Sequence, residues 1–295
     1  MDGILLVDKP AGPTSHDIVR RIRRTSGERR VGHTGTLDPR ATGLLPLVLG
    51  RATRLASRLT AHRKTYEAVI RLGFSTDTDD VDGQPIGAPT PVTADAAAVR
   101  EAIAAFVGAI DQVPPTHSAK KVGGERAYAR ARRDEDVRLS PVPVTVFEIE
   151  TLGYAADEVH LRITASSGFY VRALARDLGV ALGCGGHLAS LRRTVIGRFH
   201  VAMALSLEEA ERAGPAVADQ LVTMADALAD RPAVRLTDRG LVRALHGNAV
   251  GVEHLEVGAL PPPSAGDVRL LGPAGELVAI ANSRGGALHP VLVVG

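Results

Sequence analysis

Asp38 is the one carboxylate in VGHTGTLDPRATG, residues 31–43. Three glycines, a Leu-Asp-Pro step and no apolar periodicity make this stretch an ordered loop. Two chemistries suit such an aspartate. Followed by Pro39, it can cap a helix whose first position the proline occupies. Alternatively, it is a carboxylate held ionised at a place where polyanions bind. Its setting speaks for the second: residues 1–64 carry thirteen Lys/Arg against five Asp/Glu, a local excess of eight positive charges.

Other side chains have chemistry of their own. Tyr66 opens an alternating segment, where a half-buried strand tyrosine is the plain reading and a stacking or proton-moving phenol the functional one. Arg172 is either a solvated helix arginine, as Arg176 is read, or a guanidinium serving a carboxylate or a phosphate. His33 lies five residues before Asp38 on the same loop, where a histidine bonded to backbone is the plain reading. No second His or Cys stands at ligand spacing, so no metal is expected. Lysine is scarce. Lys9, Lys64, Lys120 and Lys121 are the only four against 31 arginines, and each lies beside a motif. Residues 118–138 hold seven Lys/Arg and four acids around two glycines, which fits a flexible arm that clamps RNA, or a solvated charged face.

The elements that carry these groups follow from pattern. Residues 3–7 read as a buried strand ending at Asp8-Lys9-Pro10. Ser15 is placed to cap a helix over 16–24, with Ile18 and Ile22 on one face. Residues 44–50 are apolar, and 66–73 alternate as a strand does. A polar loop spans 75–92, then a helix over 93–107 with a threonine cap. Strands are expected near 143–150 and 158–165, and a helix over 171–181. Residues 206–231 read as helical and connecting. From 232 the chain turns to short β segments, which places a domain boundary near 231.

Bulk composition bounds the rest. At 295 residues, 45% hydrophobic and 23% charged, the chain can build a core without staples. The lone Cys184 excludes an intrachain disulfide and a cysteine zinc cluster. The start has no basic n-region, and the longest apolar run, LLPLVL at 44–49, is far below spanning length. A cytoplasmic protein with no membrane association is the expectation. The run 77–83 evokes a calcium loop, but Val81 holds a ligand position and no glutamate closes the loop. Gly183–Gly186 is not a dinucleotide fingerprint, and no phosphate-loop GK[ST] exists.

Seven ordered blocks resemble one family: LLVDKPAGPTSHD (5–17), VGHTGTLDPRATG (31–43), KTYEAVIRLG (64–73), STDTDDVDG (75–83), PPTHSAKKVGGERAYARAR (114–132), SSGFYVRALARDLG (166–179) and GGHLASLRRTVIGRF (185–199). Together, over about residues 3–200, they are similar to the bacterial TruB family of tRNA pseudouridine synthases. Thr116 and His117 depart from that pattern, where bulkier apolar residues are frequent. The tail from about 232 resembles a small PUA RNA-binding domain.

The resemblance implies an α+β pseudouridine synthase fold: a mixed, mainly antiparallel central sheet flanked by helices over 1–231, with a β-rich PUA-like domain over 232–295. It implies isomerisation of the T-loop uridine of tRNA, position 55, by base flipping, glycosidic cleavage, uracil rotation and rejoining through C5. No redox or group-transfer cofactor is needed, since product and substrate are isomers, and none is expected. Breaking a glycosidic bond calls for one ionised carboxylate beside the sugar, acting as nucleophile, base or electrostatic partner. The family's catalytic residues fall on Asp38, Tyr66 and Arg172, with Arg172 pairing Asp38 or holding a phosphate. His33 would enter the space left by the flipped nucleotide. Lys9, Tyr170, Lys64, Lys120 and Arg126 are the further substrate-binding candidates. A monomer acting on the T stem-loop, without protein partner or guide RNA, is the implied state. Two other readings stay open. One is an RNA-binding or tRNA-folding protein in which catalysis is secondary; the other is a guide-dependent synthase sharing the aspartate loop.

Overall fold

The computed structural model describes residues 1–116, 118, 121–122, 125–126, 133 and 139–295, with backbone alone at 121–122 and 125–126. The main elements run β1 (Gly3–Lys9), α1 (Ser15–Ser26), β2 (Val31–His33), β3 (Thr42–Leu49), β4 (Lys64–Leu72), α2 (Ala96–Ala104) and β5 (Gly108–Gln112). They continue with β6 (Val142–Ala155), β7 (Glu158–Ala165), α3 (Val171–Ala181), β8 (Gly186–Ile196), β9 (Leu205–Ser206), α4 (Leu207–Ala213), β10 (Ala233–Arg235), α5 (Asp238–Leu245), β11 (Asp267–Leu271), β12 (Leu277–Arg284) and β13 (Ala287–Val293). Two compact units divide these elements: Met1–Pro39 with Leu44–Thr60 and Arg198–Gly295, and Arg40–Gly43 with Ala61–Gly197.

In the first unit, β1 lies between β3 and a short parallel partner, β9. β2 pairs antiparallel with β3, His33 facing Leu47. The sheet is covered by α1, whose Ile18, Val19 and Ile22 pack with Leu5, Val7, Leu45 and Leu47 in one buried cluster. Thr14, not Ser15, caps α1. Its hydroxyl accepts from the Asp17 N–H, and Asp17 accepts in return from the Thr14 N–H, a complete capping box. The second sheet of this unit runs β10-β11-β12-β13 around its own apolar cluster. The short helix α5, absent from the pattern-based reading, buries Gly240 and Ala244 and packs Leu241 beside them against that cluster.

In the second unit, β4 pairs antiparallel with both β7 and β8, and β6 with β5 and β7. Burial alternates along β4, with Lys64, Tyr66, Ala68, Ile70 and Leu72 on the covered face. That face packs against α3 through Leu174, Ala175 and Leu178 and against α2 through Val99 and Ile103. Asp95, not Thr93, caps α2, accepting from the Ala97 and Ala98 N–H groups. The expected helix over 206–231 is a seven-residue helix followed by 3-10 turns, broken at Gly214-Pro215. Of the arm expected over 118–138, the backbones of Lys121–Val122 and Glu125–Arg126 pair as a two-residue ladder. His117, Lys120 and the Arg126 side chain lie outside the described residues.

Candidate active site

The Asp38 segment is anchored on both sides of the carboxylate. Ser15, buried in the first turn of α1, donates its hydroxyl to the Leu37 carbonyl (3.0 Å) and accepts from the Leu37 N–H (2.9 Å). Both peptide groups of Leu37 are thereby satisfied by one side chain, and the Leu37 side chain is buried. On the other side, the Pro39 carbonyl accepts from the Lys9 ammonium (2.9 Å) and the Gly12 N–H (2.9 Å). Lys9 is wholly buried at the end of β1 and also donates to the Pro10 carbonyl at 3.0 Å. A surface strand-end lysine is therefore excluded; this ammonium is a structural clamp on the loop. Pro39 and Arg40 form a bend instead of a helical turn, so Asp38 is not a helix cap. Asp38 itself is half-buried. Leu37 and Pro39, on either side of Asp38, are thus each held by residues from elsewhere in the unit.

His33 closes β2. Its Nδ1 accepts from the Gly35 N–H at 3.3 Å, the backbone-bonded arrangement, and the ring is half-buried. Next to it, the buried Thr34 is held by its N–H to the Pro46 carbonyl at 3.1 Å.

In the second unit, the structure brings Lys64 and Tyr66 together with a residue that sequence reasoning did not single out, Arg193. Tyr66 on β4 faces Arg193 on β8 in the ladder, and the Tyr66 hydroxyl is hydrogen-bonded to the Arg193 side chain. Arg193 is 1% exposed, among the largest fully buried side chains described. Burial holds its guanidinium below the usual arginine range, and the bond to Tyr66 opposes that shift. Lys64 lies on the same face of β4, donating to the His62 carbonyl at 2.8 Å. Its amine is pushed down to about 8, first by burial and then by the charge of Arg193. Gly43 makes this arrangement possible. Its φ is +99°, and a Cβ there would stand 2.2 Å from the Arg193 carbonyl oxygen.

Arg172 sits at the second position of α3, 6% exposed. Its Nη1 donates to the Thr78 carbonyl (3.0 Å) and lies 3.7 Å from the Asp80 carboxylate. It is not a solvated helix arginine. Neither is Arg176, which pairs with Asp79 at 3.1 Å and donates to the Val113 carbonyl at 3.0 Å. Burial raises the Asp79 carboxyl, with Arg176 and then Arg172 pulling it back. The acidic run 77–83 is thus a structural turn that docks α3, pinned to β8 by reciprocal bonds between Leu188 and residues 79 and 81. Tyr170 precedes α3. The buried Gln112 amide accepts from its N–H (2.9 Å) and donates to its carbonyl (3.1 Å), much as a strand neighbour would.

Among the described residues no cluster of His, Cys, Asp and Glu is arranged to hold a metal ion, and no helix is long and apolar enough to cross a membrane. A cavity of about 300 Å³ in the second unit involves Arg40, Glu67, Val69, His160 and Arg192, and none of the candidate residues lines it.

Two family models match consecutive parts of the chain: the TruB family pseudouridylate synthase N-terminal domain over residues 23–171, and the tRNA pseudouridylate synthase B C-terminal domain over 172–222. A tRNA pseudouridine synthase B of Thermobifida fusca (strain YX) is 44% identical over 301 residues, covering 99% of this chain and 98% of the relative. That of Arthrobacter sp. (strain FB24) is 42% identical over 305 residues, covering 99% and 96%. Among solved structures, an archaeal box H/ACA sRNP Nop10–Cbf5 complex contains a chain that superposes with a TM-score of 0.73 at 25% identity, covering 99% of this chain and 86% of that one. An H/ACA RNP bound to a substrate RNA containing 2′-deoxyuridine gives 0.76 at 24% identity, covering 99% and 85%, and shares the fold.

Proposed function

The chain belongs to the TruB family of pseudouridylate synthases, and on that premise we propose that it isomerises the T-loop uridine of tRNA, position 55, to pseudouridine. The observation that carries this reading is the Asp38 segment, clamped at Leu37 and Pro39 so that one carboxylate is presented on a rigid loop. Asp38 is the ionised carboxylate that meets the sugar or the base of the flipped nucleotide. The uracil is cut from C1′, turned while still bound, and rejoined through C5. The ring of Tyr66 stacks on the uracil, and its hydroxyl helps move the proton that C5 loses. Arg172 serves either the Asp38 carboxylate or a substrate phosphate. His33 fills the space that the everted nucleotide leaves in the T loop, which offsets part of the few kcal/mol that flipping costs.

Lys9 serves by ordering the Asp38 loop, a role supported by its bond to the Pro39 carbonyl. Lys120 and Arg126 meet the RNA backbone and Tyr170 lines the uridine pocket, whereas Lys64, buried on the covered face of β4, is not placed to meet the RNA backbone. The synthase domain is assigned to 1–231, the RNA-clamping arm to 118–138 and a PUA-like RNA-binding domain to 232–295. The reaction needs no redox or group-transfer cofactor, because substrate and product are isomers. The enzyme acts as a cytoplasmic monomer without guide RNA. Full-length similarity at 42–44% to bacterial synthases, against 24–25% for the H/ACA chains, supports that last point.

The test is Asp38→Asn assayed by tritium release from tRNA carrying 5-tritiated uridine, alongside filter binding of the same tRNA. Release is expected to vanish while binding persists. Turnover near that of the unaltered protein would reject the assignment.

A further inference from the structure

The group least explained by this reaction is Arg193. It comes from β8, is wholly buried, and has the Tyr66 phenol among its partners. A buried guanidinium is expensive to desolvate, and a strand position next to a β-bulge could equally hold an apolar residue. Its neighbours make it more than filler. Tyr66 stands opposite it in the ladder, Lys64 follows on the same face of β4, and Gly43 lets a third strand close over its backbone.

We propose that Arg193 is a positioning residue for the pseudouridine synthase reaction, fixing the Tyr66 hydroxyl from the neighbouring strand and with it the plane of the Tyr66 ring. A tyrosine side chain has two torsions, and packing along β4 restrains the first. The second, and the direction of the hydroxyl, are set by the hydrogen bond that the guanidinium donates to the phenol oxygen. With that oxygen's lone pair occupied by a donor, the hydroxyl proton is directed away from Arg193. The rigid planar guanidinium suits this better than a flexible ammonium.

The inference rests on the reading of Tyr66 given above, and a double-mutant cycle separates the two. The proteins are the full chain and its Arg193→Met, Arg193→Lys, Tyr66→Phe and Tyr66→Phe/Arg193→Met variants. The measurements are kcat and KM for tritium release from tRNA. Loss of a charge-assisted hydrogen bond predicts a fall in kcat of roughly tenfold to a hundredfold for Arg193→Met, with KM within about threefold. Arg193→Lys should recover part of that loss. In the Tyr66→Phe background the same Arg193→Met change should cost less than about threefold, because the hydroxyl it holds is gone.

An equal loss in both backgrounds would overturn the inference and leave Arg193 a scaffold residue. So would a rise in KM at constant kcat. A Tyr66→Phe protein as active as the unaltered one would instead remove the role assigned to Tyr66, and the inference with it. Should Arg193→Met fail to fold, Arg193→Lys with and without Tyr66→Phe gives the same cycle with smaller amplitudes.

Discussion

Lys64 provides a quantitative test of how the buried end of β4 is built. Its amine is pushed down from the ordinary 10.5 to about 8, by burial first and by the Arg193 charge second. Below pH 8 the side chain is an ammonium in folded and unfolded chains alike, and the folded state carries the penalty of keeping that charge from water. Above pH 8 the folded amine is neutral while the unfolded one stays protonated up to 10.5. The unfolded chain then binds more protons, so stability rises with pH across that window. The gap is worth about 3 kcal/mol in full, of which about 2.5 kcal/mol is recovered between pH 7 and pH 10. Other groups titrate in this range, so the quantity to follow is a difference. Lys64→Met keeps a stem of similar length and removes the titration. Urea unfolding of both proteins at pH 7, 8, 9 and 10 should show the unaltered chain gaining on the variant by about that amount. A difference that stays constant over the series would contradict the burial account of Lys64.

Two further substitutions probe the frame around the candidate residues. Gly43→Ala places a Cβ 2.2 Å from the Arg193 carbonyl at φ +99°, so it should lower unfolding free energy by about 3 kcal/mol or more; a change below about 1 kcal/mol in urea titration would mean that β3 and β8 part easily. Ser15→Ala leaves the buried peptide groups of Leu37 without their partner, a loss of about 1–3 kcal/mol. Single-turnover tritium release should fall roughly tenfold or more as Asp38 loses its bearing, with tRNA binding little changed. Unaltered turnover in a destabilised protein would show that Lys9 and Gly12 suffice to aim the loop.

Much of the scaffold could be read from local pattern. β4 was legible because its apolar positions alternate, and α3 because Val171, Leu174, Ala175 and Leu178 recur at helical spacing. The Asp38 segment was legible as a loop from its glycines and its Leu-Asp-Pro step. Helix starts were legible only to within a residue or two. Thr14 and Ser15 both cap well in isolation, as do Thr93 and Asp95. In α1 the choice falls to Thr14 because Asp17 completes its box and because Ser15 serves Leu37, 22 residues further along the chain. α5 is only eight residues long, and its core contacts come from Gly240, Ala244 and a partly buried Leu241, too short a run to stand out among the β segments around it.

Arg193 shows where pattern stops. In SLRRTVIG either arginine of the pair could turn inward, and strict alternation would decide between them. β8 does not alternate strictly: its register shifts between Leu188 and Ser190 and again between Arg193 and Val195. Each shift hands the next residue to the other face. Likewise, the acids of 77–83 and the arginines of α3 are plain in the chain, but their pairing joins residues more than ninety positions apart.

Residue types and their local order were enough to point to the fold class and the reaction family, because those are written in contiguous blocks. Which lysine is buried as a clamp, which arginine lies under Tyr66, and which hydroxyl caps a helix while its neighbour holds a distant loop were left to three-dimensional packing. Those outcomes depend on strand register and on the need of each buried polar group for a partner, and both are settled by segments far apart in the chain.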